Sequence, residues 1–250
     1  MTSGANCPDP QAVGGSQLLQ IAVLGRVWSA PWRHLPVLAV AAVASGLPLT
    51  IAVLLTSGIS VLTPLLAALW CGPTLIPLLG AVQDALVHDD TELSRYARSF
   101  RRCAARSTAY SLIPGLSLTA LLAALEVHAR TGSGMVLIPL ALSVSCSVLT
   151  LAGLVALLPL AAARPALRGY RLWLTAWYLL GRWPVRYAAP LALGGLALWT
   201  ATTLHTSLIL LLPAPVALLA GAAHWCCAID LGARGFPVRT AGEVISVRRS

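Results

Sequence analysis

Asp84, His88, Asp89, Asp90 and Glu92 put four carboxylates and an imidazole within nine consecutive residues. Oxygen ligands with an imidazole suit a divalent cation, but the spacing matches neither an EF-hand loop nor a zinc motif. The same residues suit the start of a helix. Asp89 or Asp90 can cap it, with Glu92 placed for a capping box, and a solvated capping cluster is the reading we adopt. His224-Trp-Cys226-Cys227-Ala-Ile-Asp230 brings imidazole, thiol and carboxylate within about one and a half helical turns, a weak metal or thiol candidate. Glu126, His128, His205 and Thr206 are the groups a membrane enzyme would use, all near expected outer turns. No G-x-S-x-G, H-E-x-x-H or phosphate-binding glycine loop occurs. The expectation is a protein with no catalytic residue, no cofactor and no metal site.

A second constellation mixes arginine with aromatic rings. Tyr96, Phe100, Arg101, Arg102 and Arg106 form one group; Tyr170, Trp173, Trp177, Arg182 and Trp183 form the other. Guanidinium groups pair with lipid phosphates or with protein carboxylates, and Arg, Trp and Tyr dominate binding hot spots. These ten are the candidate residues for binding anionic lipid headgroups or a protein partner.

Both constellations lie in polar islands, 84–106 and 164–186, of an apolar chain. Of its 250 residues 58% are hydrophobic and 10% charged, where a soluble domain carries about 25% charged residues. Mean hydropathy is +0.81. Net charge is +9 and every basic residue is Arg. The arginines lie between apolar runs rather than in one patch, which argues for membrane orientation and against nucleic acid. Absence of Lys with abundant Ala, Leu and Arg points to a GC-rich bacterial genome. Six cysteines form no C-x-x-C pair and read as small hydrophobes.

Residues 1–16 read as a disordered tail with no cleavable signal peptide. Over 17–33, Leu18, Ile21, Ala22, Gly25, Trp28 and Trp32 recur at helical spacing, predicting an amphipathic interfacial helix with its tryptophans at headgroup level. The segment 34–229 holds six spans of about 20 residues each. Helix one is expected at 35–56, helix two at 61–82 with a kink at Pro73 and Pro77, helix three at 107–125 and helix four at 135–163. Helices five and six fill 187–229, with a break near Thr203 to Ser207. Within the first island, Leu93, Tyr96, Ala97, Phe100 and Ala104 fall on one face and Arg95, Arg98, Arg102 and Arg106 on the other. This predicts a helix lying on the membrane surface. A basic tail occupies 230–250.

Six spans place sixteen arginines on one side and Arg130 alone on the other. That asymmetry puts both termini and both islands in the cytoplasm. The fold class expected is all-α, a polytopic membrane bundle of about six transmembrane helices, N-in and C-in, with amphipathic interfacial helices. An offset of 80 residues, mapping Arg102 onto Arg182 and Arg106 onto Arg186, hints at a parallel internal repeat.

Gly72-Pro73-Thr-Leu-Ile-Pro77, followed by a polar stretch, Tyr96-x-x-x-Phe100-Arg101-Arg102 and a new span from Ser107, resembles the YesL family of small bacterial membrane proteins. The tryptophan-bearing segment before helix one also fits. The resemblance covers about residues 18 to 215. Tyr96 replaces the first Phe of the family pattern, and Cys103-Ala104 stands where Asn or an aromatic is often found. It implies a cytoplasmic-membrane protein with an accessory role beside carbohydrate ABC importers. It does not imply a permease subunit, whose E-A-A-x-x-x-G loop neither island carries. Accessory or scaffold protein for solute uptake is the leading functional expectation. Transporter or permease component is the first alternative and membrane enzyme the second.

Overall fold

A computed structural model describes residues 20–21, 23–29, 32–56, 60–88, 92–203, 210, 213–231, 239–240 and 243–244. Regular structure there is helical apart from a two-residue antiparallel ladder, Arg239–Thr240 with Glu243–Val244. After a helical segment within 20–29 come α1 (Leu35–Leu55), α2 (Thr63–Gln83), α3 (Leu93–Thr131), α4 (Leu137–Ala163), α5 (Tyr170–Arg182), α6 (Pro184–Thr203) and α7 (Pro213–Asp230). A π-helical turn, Asp84–His88, extends α2, and a 3-10 turn, Gly134–Val136, leads into α4. The 1–16 tail, the Asp89 and Asp90 caps, His205 and Thr206 lie outside the described residues.

Four helical stretches among the described residues are long and apolar enough to cross a membrane: Leu35–Leu55, Thr63–Val87, Leu93–Thr131 and Gly134–Ala163. They mark the chain as a helical membrane protein. The expected fifth and sixth spans are helical but more polar. The helix α6 opens on Pro184-Val-Arg186-Tyr187 and carries Gly194-Gly195, and α7 contains His224 and ends on Asp230.

Helix boundaries follow local chemistry. Pro36 and Pro64 stand in the first turns of α1 and α2, where a missing N–H costs nothing. The turn between them is knitted by hydroxyls: Thr56 and Thr63 meet at 2.8 Å, and Ser60 N donates to Thr63 Oγ1 at 2.8 Å. Pro73 and Pro77 sit inside α2, yet the helix runs on. Ser107 of α3 explains part of this: its hydroxyl accepts from the Ile76 amide at 3.1 Å, so a neighbouring helix supplies a partner that proline disturbs. At the other end α3 stops at Gly132, whose φ of 61° suits a residue without Cβ.

The first island does not form a separate surface helix. Residues 93–106 and the third span are one helix of 39 residues, about 58 Å at 1.5 Å per residue, nearly twice the hydrocarbon thickness of about 30 Å. Its partner is α2, antiparallel to it. A methyl group built on Gly115 would stand 2.6 Å from the Ala68 Cβ, one on Gly72 2.8 Å from the Thr108 Cα, and one on Gly80 3.8 Å from the Ser99 hydroxyl. Arg95 meets Asp84 at 3.7 Å beyond them. Close approach of backbones through small residues is the packing that works in lipid, where no hydrophobic force joins helices.

The buried core is concentrated at one end of the bundle. Ile76, Leu78, Val82 and Leu86 of the α2 arm pack with Ala156, Leu157 and Leu160 of α4, Leu172, Ala176 and Leu179 of α5, Tyr187 of α6 and Cys227 of α7. Val23 and Val27 of the N-terminal segment join through Ala222, Cys226 and Ile229. Trp28 and Trp32 of that segment are exposed. At the opposite end, Leu54, Leu55, Leu125, Met135, Ile138 and Leu142 are exposed, as expected of surface that lipid covers.

Candidate functional site

The arginine-bearing segments meet at the core end. Arg26 donates to the carbonyls of Leu86 and Val87 at 3.0 and 3.3 Å, closing the π-helical turn that ends the α2 arm. Arg106 of the first island donates to the Pro165 carbonyl at the start of the second, at 3.3 Å. Arg186 pairs with Asp230 at 2.6 Å, and Gln20 donates to the same carboxylate. Four distant parts of the chain thus converge. At the far end, Arg130 pairs with Glu126 one turn away on the exposed end of α3.

The ten candidate residues divide when placed on this frame. Arg101 and Arg102 are exposed on α3, Arg106 is tied to Pro165, and Tyr96 is turned inward. Phe100 is 36% exposed. The face of α3 that packs is Tyr96, Ser99, Cys103, Ser107, Tyr110 and Ser111, none of them fully exposed. It is rotated by about one residue from the stripe through Leu93, Ala97 and Phe100 that hydrophobicity alone suggests. The cause is the glycine-lined surface of α2, which takes small side chains and leaves the phenyl ring outside. The periodic signal was present as Ser107-x-x-x-Ser111-x-x-x-Gly115, the small-residue spacing of membrane helix contacts.

In the second island Trp173 and Trp177 are half-buried. Both lie over Gly153 of α4, where a methyl group would stand 2.8 Å from the Trp173 ring and 3.5 Å from the Trp177 ring. They bind this chain to itself. Tyr170 and Tyr178 are exposed. Arg182 donates to the Tyr178 hydroxyl at 2.8 Å and stacks over Trp183 at 5.0 Å, with Arg186 on the same ring at 5.9 Å. Trp183 has φ −134° and ψ 61°, outside the helical region. The residue before a proline is pushed from the α conformation, so α5 stops and Pro184 opens α6. The first island has no such break, and the two halves of the suspected repeat differ in shape.

The acidic cluster resolves into two described groups. Asp84 lies in the π-helical turn and pairs with Arg95. Glu92 is itself the residue capping α3, in extended conformation and with no side-chain capping bond, and accepts from the Ser94 hydroxyl at 2.9 Å. The expected box with Glu92 three residues inside the helix is not formed. His224 and Cys227 are buried on α7, with Cys227 3.9 Å from Arg186. Among the described residues no three His, Cys, Asp or Glu side chains converge as a metal site would require.

A cavity of about 190 Å³ lies where the arms of α2 and α3 meet α1 and α4. Val37, Pro77, Gly80, Ala81 and Ala162 form its apolar side, and Gln83, Asp84, Glu92, Arg95, Tyr96 and Ser99 its polar side. The residue-type patterns of the sequence had not singled out Gln83 or Ser99. Each is an isolated polar residue without a motif, and only helix pairing brings them together.

No protein-family model matches the chain, and neither a curated protein nor a solved structure does.

Proposed function

We propose that this chain is a non-catalytic integral protein of the bacterial cytoplasmic membrane, with six spans and both termini inside, serving as an accessory or scaffold component of solute uptake. The observation that carries it is the convergence of the arginine-bearing segments at one end, tied by the Arg26, Arg106 and Arg186 contacts. Such an end presents Arg101, Arg102 and Arg182 outward on an ordered frame, and ordered arginines beside aromatic rings suit docking to anionic headgroups and to a partner. The helices α6 and α7 supply the fifth and sixth spans in this reading, with Arg186 of one paired to Asp230 of the other. The YesL-like pattern at Gly72–Pro77 and Tyr96–Arg102 suggests a carbohydrate ABC importer as the partner.

The close α2–α3 contact supports a scaffold, because backbones this near at Gly72 and Gly115 leave no path between the helices there. A transporter reading draws on the cavity beside Gln83. The test is crosslinking in native membranes with Arg101→Lys, Arg102→Lys and Arg182→Lys combined. Lys keeps lipid attraction but loses bidentate pairing with a carboxylate. Loss of a crosslinked partner in the triple variant is the expected result; an undiminished partner, or none in the wild type, would return the arginines to lipid anchoring alone. Substrate flux into proteoliposomes holding this chain alone would favour the transporter.

A further inference from the structure

We propose that the joint between the two islands binds the phosphate of an anionic phospholipid. This deepens the headgroup-docking part of the function proposed above, and it rests on this end of the bundle facing the inner leaflet. The joint is the linker between α4 and α5, laid along α3. Arg106 of α3 donates to the Pro165 carbonyl at 3.3 Å, and the Gly169 amide donates to the Tyr110 hydroxyl at 3.3 Å. Arg106 and Tyr110 stand about one turn apart on α3, so residues 165–169 run beside that turn. The linker has an ordered course of its own. The Leu167 amide donates to the Arg164 carbonyl at 3.0 Å, the Leu167 side chain packs against the core, and Gly169 takes a left-handed φ of 57°, which glycine adopts without strain.

This course fixes the backbone and leaves the charges outside. Arg164 and Arg168 lie at the two ends of the turn, and Arg171 follows in the first turn of α5. Arg102 lies one turn before Arg106 on the same face of α3. All four are exposed, and none has a hydrogen bond or an ion pair among the described residues. The carboxylates nearest this end are engaged elsewhere: Asp84 with Arg95, Asp230 with Arg186, and Glu92 with the Ser94 hydroxyl. The arginines of this end thus fall into two sets. Arg26, Arg182 and Arg186 hold the fold through carbonyl, phenol and carboxylate partners. The joint set has four guanidinium groups on a pinned backbone and no anion to meet them.

A guanidinium offers parallel N–H donors that match two phosphate oxygens. The surroundings select a lipid phosphate over a free one. Tyr170 is 74% and Leu174 49% exposed, one turn apart on α5 beside these arginines. A phenol suits headgroup level and a leucine suits the acyl chains, whereas a phosphate ion in water has no use for either. A zwitterionic headgroup would bring its own cation among the arginines.

The full-length protein in detergent micelles is titrated with dioleoyl-phosphatidylglycerol, with dioleoyl-phosphatidylcholine and with inorganic phosphate, and bound lipid is counted by native mass spectrometry. Phosphatidylglycerol should be retained, phosphatidylcholine should not, and inorganic phosphate should not displace the lipid. Arg164→Gln combined with Arg168→Gln should weaken retention about 25-fold, at roughly fivefold for each arginine. Arg98→Gln combined with Arg101→Gln removes the same charge from α3. Arg98 lies two turns before Arg106, and Arg101 falls on another side of the helix, so this pair should change retention by about twofold at most. All four side chains are exposed and unpaired among the described residues, and both double variants should unfold at the wild-type temperature. Equal weakening by the two pairs would mean diffuse attraction and would overturn the site. Equal retention of phosphatidylcholine, or displacement by inorganic phosphate at the lipid's own concentration, would overturn it as well. Arg164 and Arg168 are not among the arginines of the crosslinking test, so the lipid site can fail while the partner stands, and the partner can fail while the lipid site stands.

Discussion

The two ends of this bundle use the same apolar residue types in opposite ways. At the arginine end Leu157, Leu172 and Leu86 are within 1% of full burial, enclosed by helices from every part of the chain. At the Arg130 end Leu142 is 66% and Ile138 78% exposed, on α4, the same helix that buries Leu157. In water both sets would count as core. In a bilayer only the first set is packed against protein, and the second meets lipid as apolar as itself. The difference teaches that hydrophobicity here reports the solvent, and that protein contact is reported by small and polar residues: Gly72, Gly115, Ser107 and Ser111.

The sharpest test of the contrast is sidedness. Ser133→Cys, in the turn after α3, and Ser94→Cys, at its start, are separated by a 39-residue helix. An impermeant thiol reagent should label one from outside intact cells and the other only after the membrane is opened. Labelling of both from one side would remove the transmembrane assignment of α3.

Truncation distinguishes the two kinds of leucine next. Leu157→Ala should cost about 2–5 kcal/mol, the range for buried leucine, in a reversible unfolding titration in mixed micelles. Leu142→Ala should fall within about 0.5 kcal/mol of wild type, as surface changes do. Equal costs at both sites would mean that the far end is also covered by protein, for instance by a second copy.

Overpacking the helix contact comes third. Gly72→Val places a branched side chain where the Thr108 backbone stands, and should lose about 1–3 kcal/mol in the same titration. Gly195→Ala, with no atom within 4 Å of the new methyl group, should be neutral or slightly stabilising, because alanine favours helix over glycine by about 1 kcal/mol. If Gly72→Val were equally benign, the α2–α3 contact would be looser than described.

The smallest effect is expected from the Arg130–Glu126 ion pair of the far end. Arg130 and Glu126 are exposed and one helical turn apart, and such pairs contribute about 0.3–0.5 kcal/mol. Glu126→Gln should shift stability by no more than that, and the shift should vanish in high salt. A larger effect would show that this end, too, holds a packed polar site.

The helices at 35–55, 63–83 and 137–163 were legible because hydropathy runs are local properties, summed along the chain. The break at Trp183 is readable from Pro184 for the same reason. Helix identity beyond that was not local. Nothing in 93–106 states that this segment continues through Ser107 rather than bending onto the membrane. An arginine-flanked amphipathic stretch suits either course, and the glycines of α2 decide it by offering a surface on which Ser99, Ser107 and Ser111 fit. The same contact turned Phe100 outward and gathered Gln83, Ser99 and Glu92 around one cavity. The chain by itself therefore determined which segments are helical and apolar, because backbone satisfaction in lipid leaves few alternatives. Only the tertiary structure decided which face of each helix meets protein, because lipid and side chains are equally good apolar neighbours and shape alone separates them.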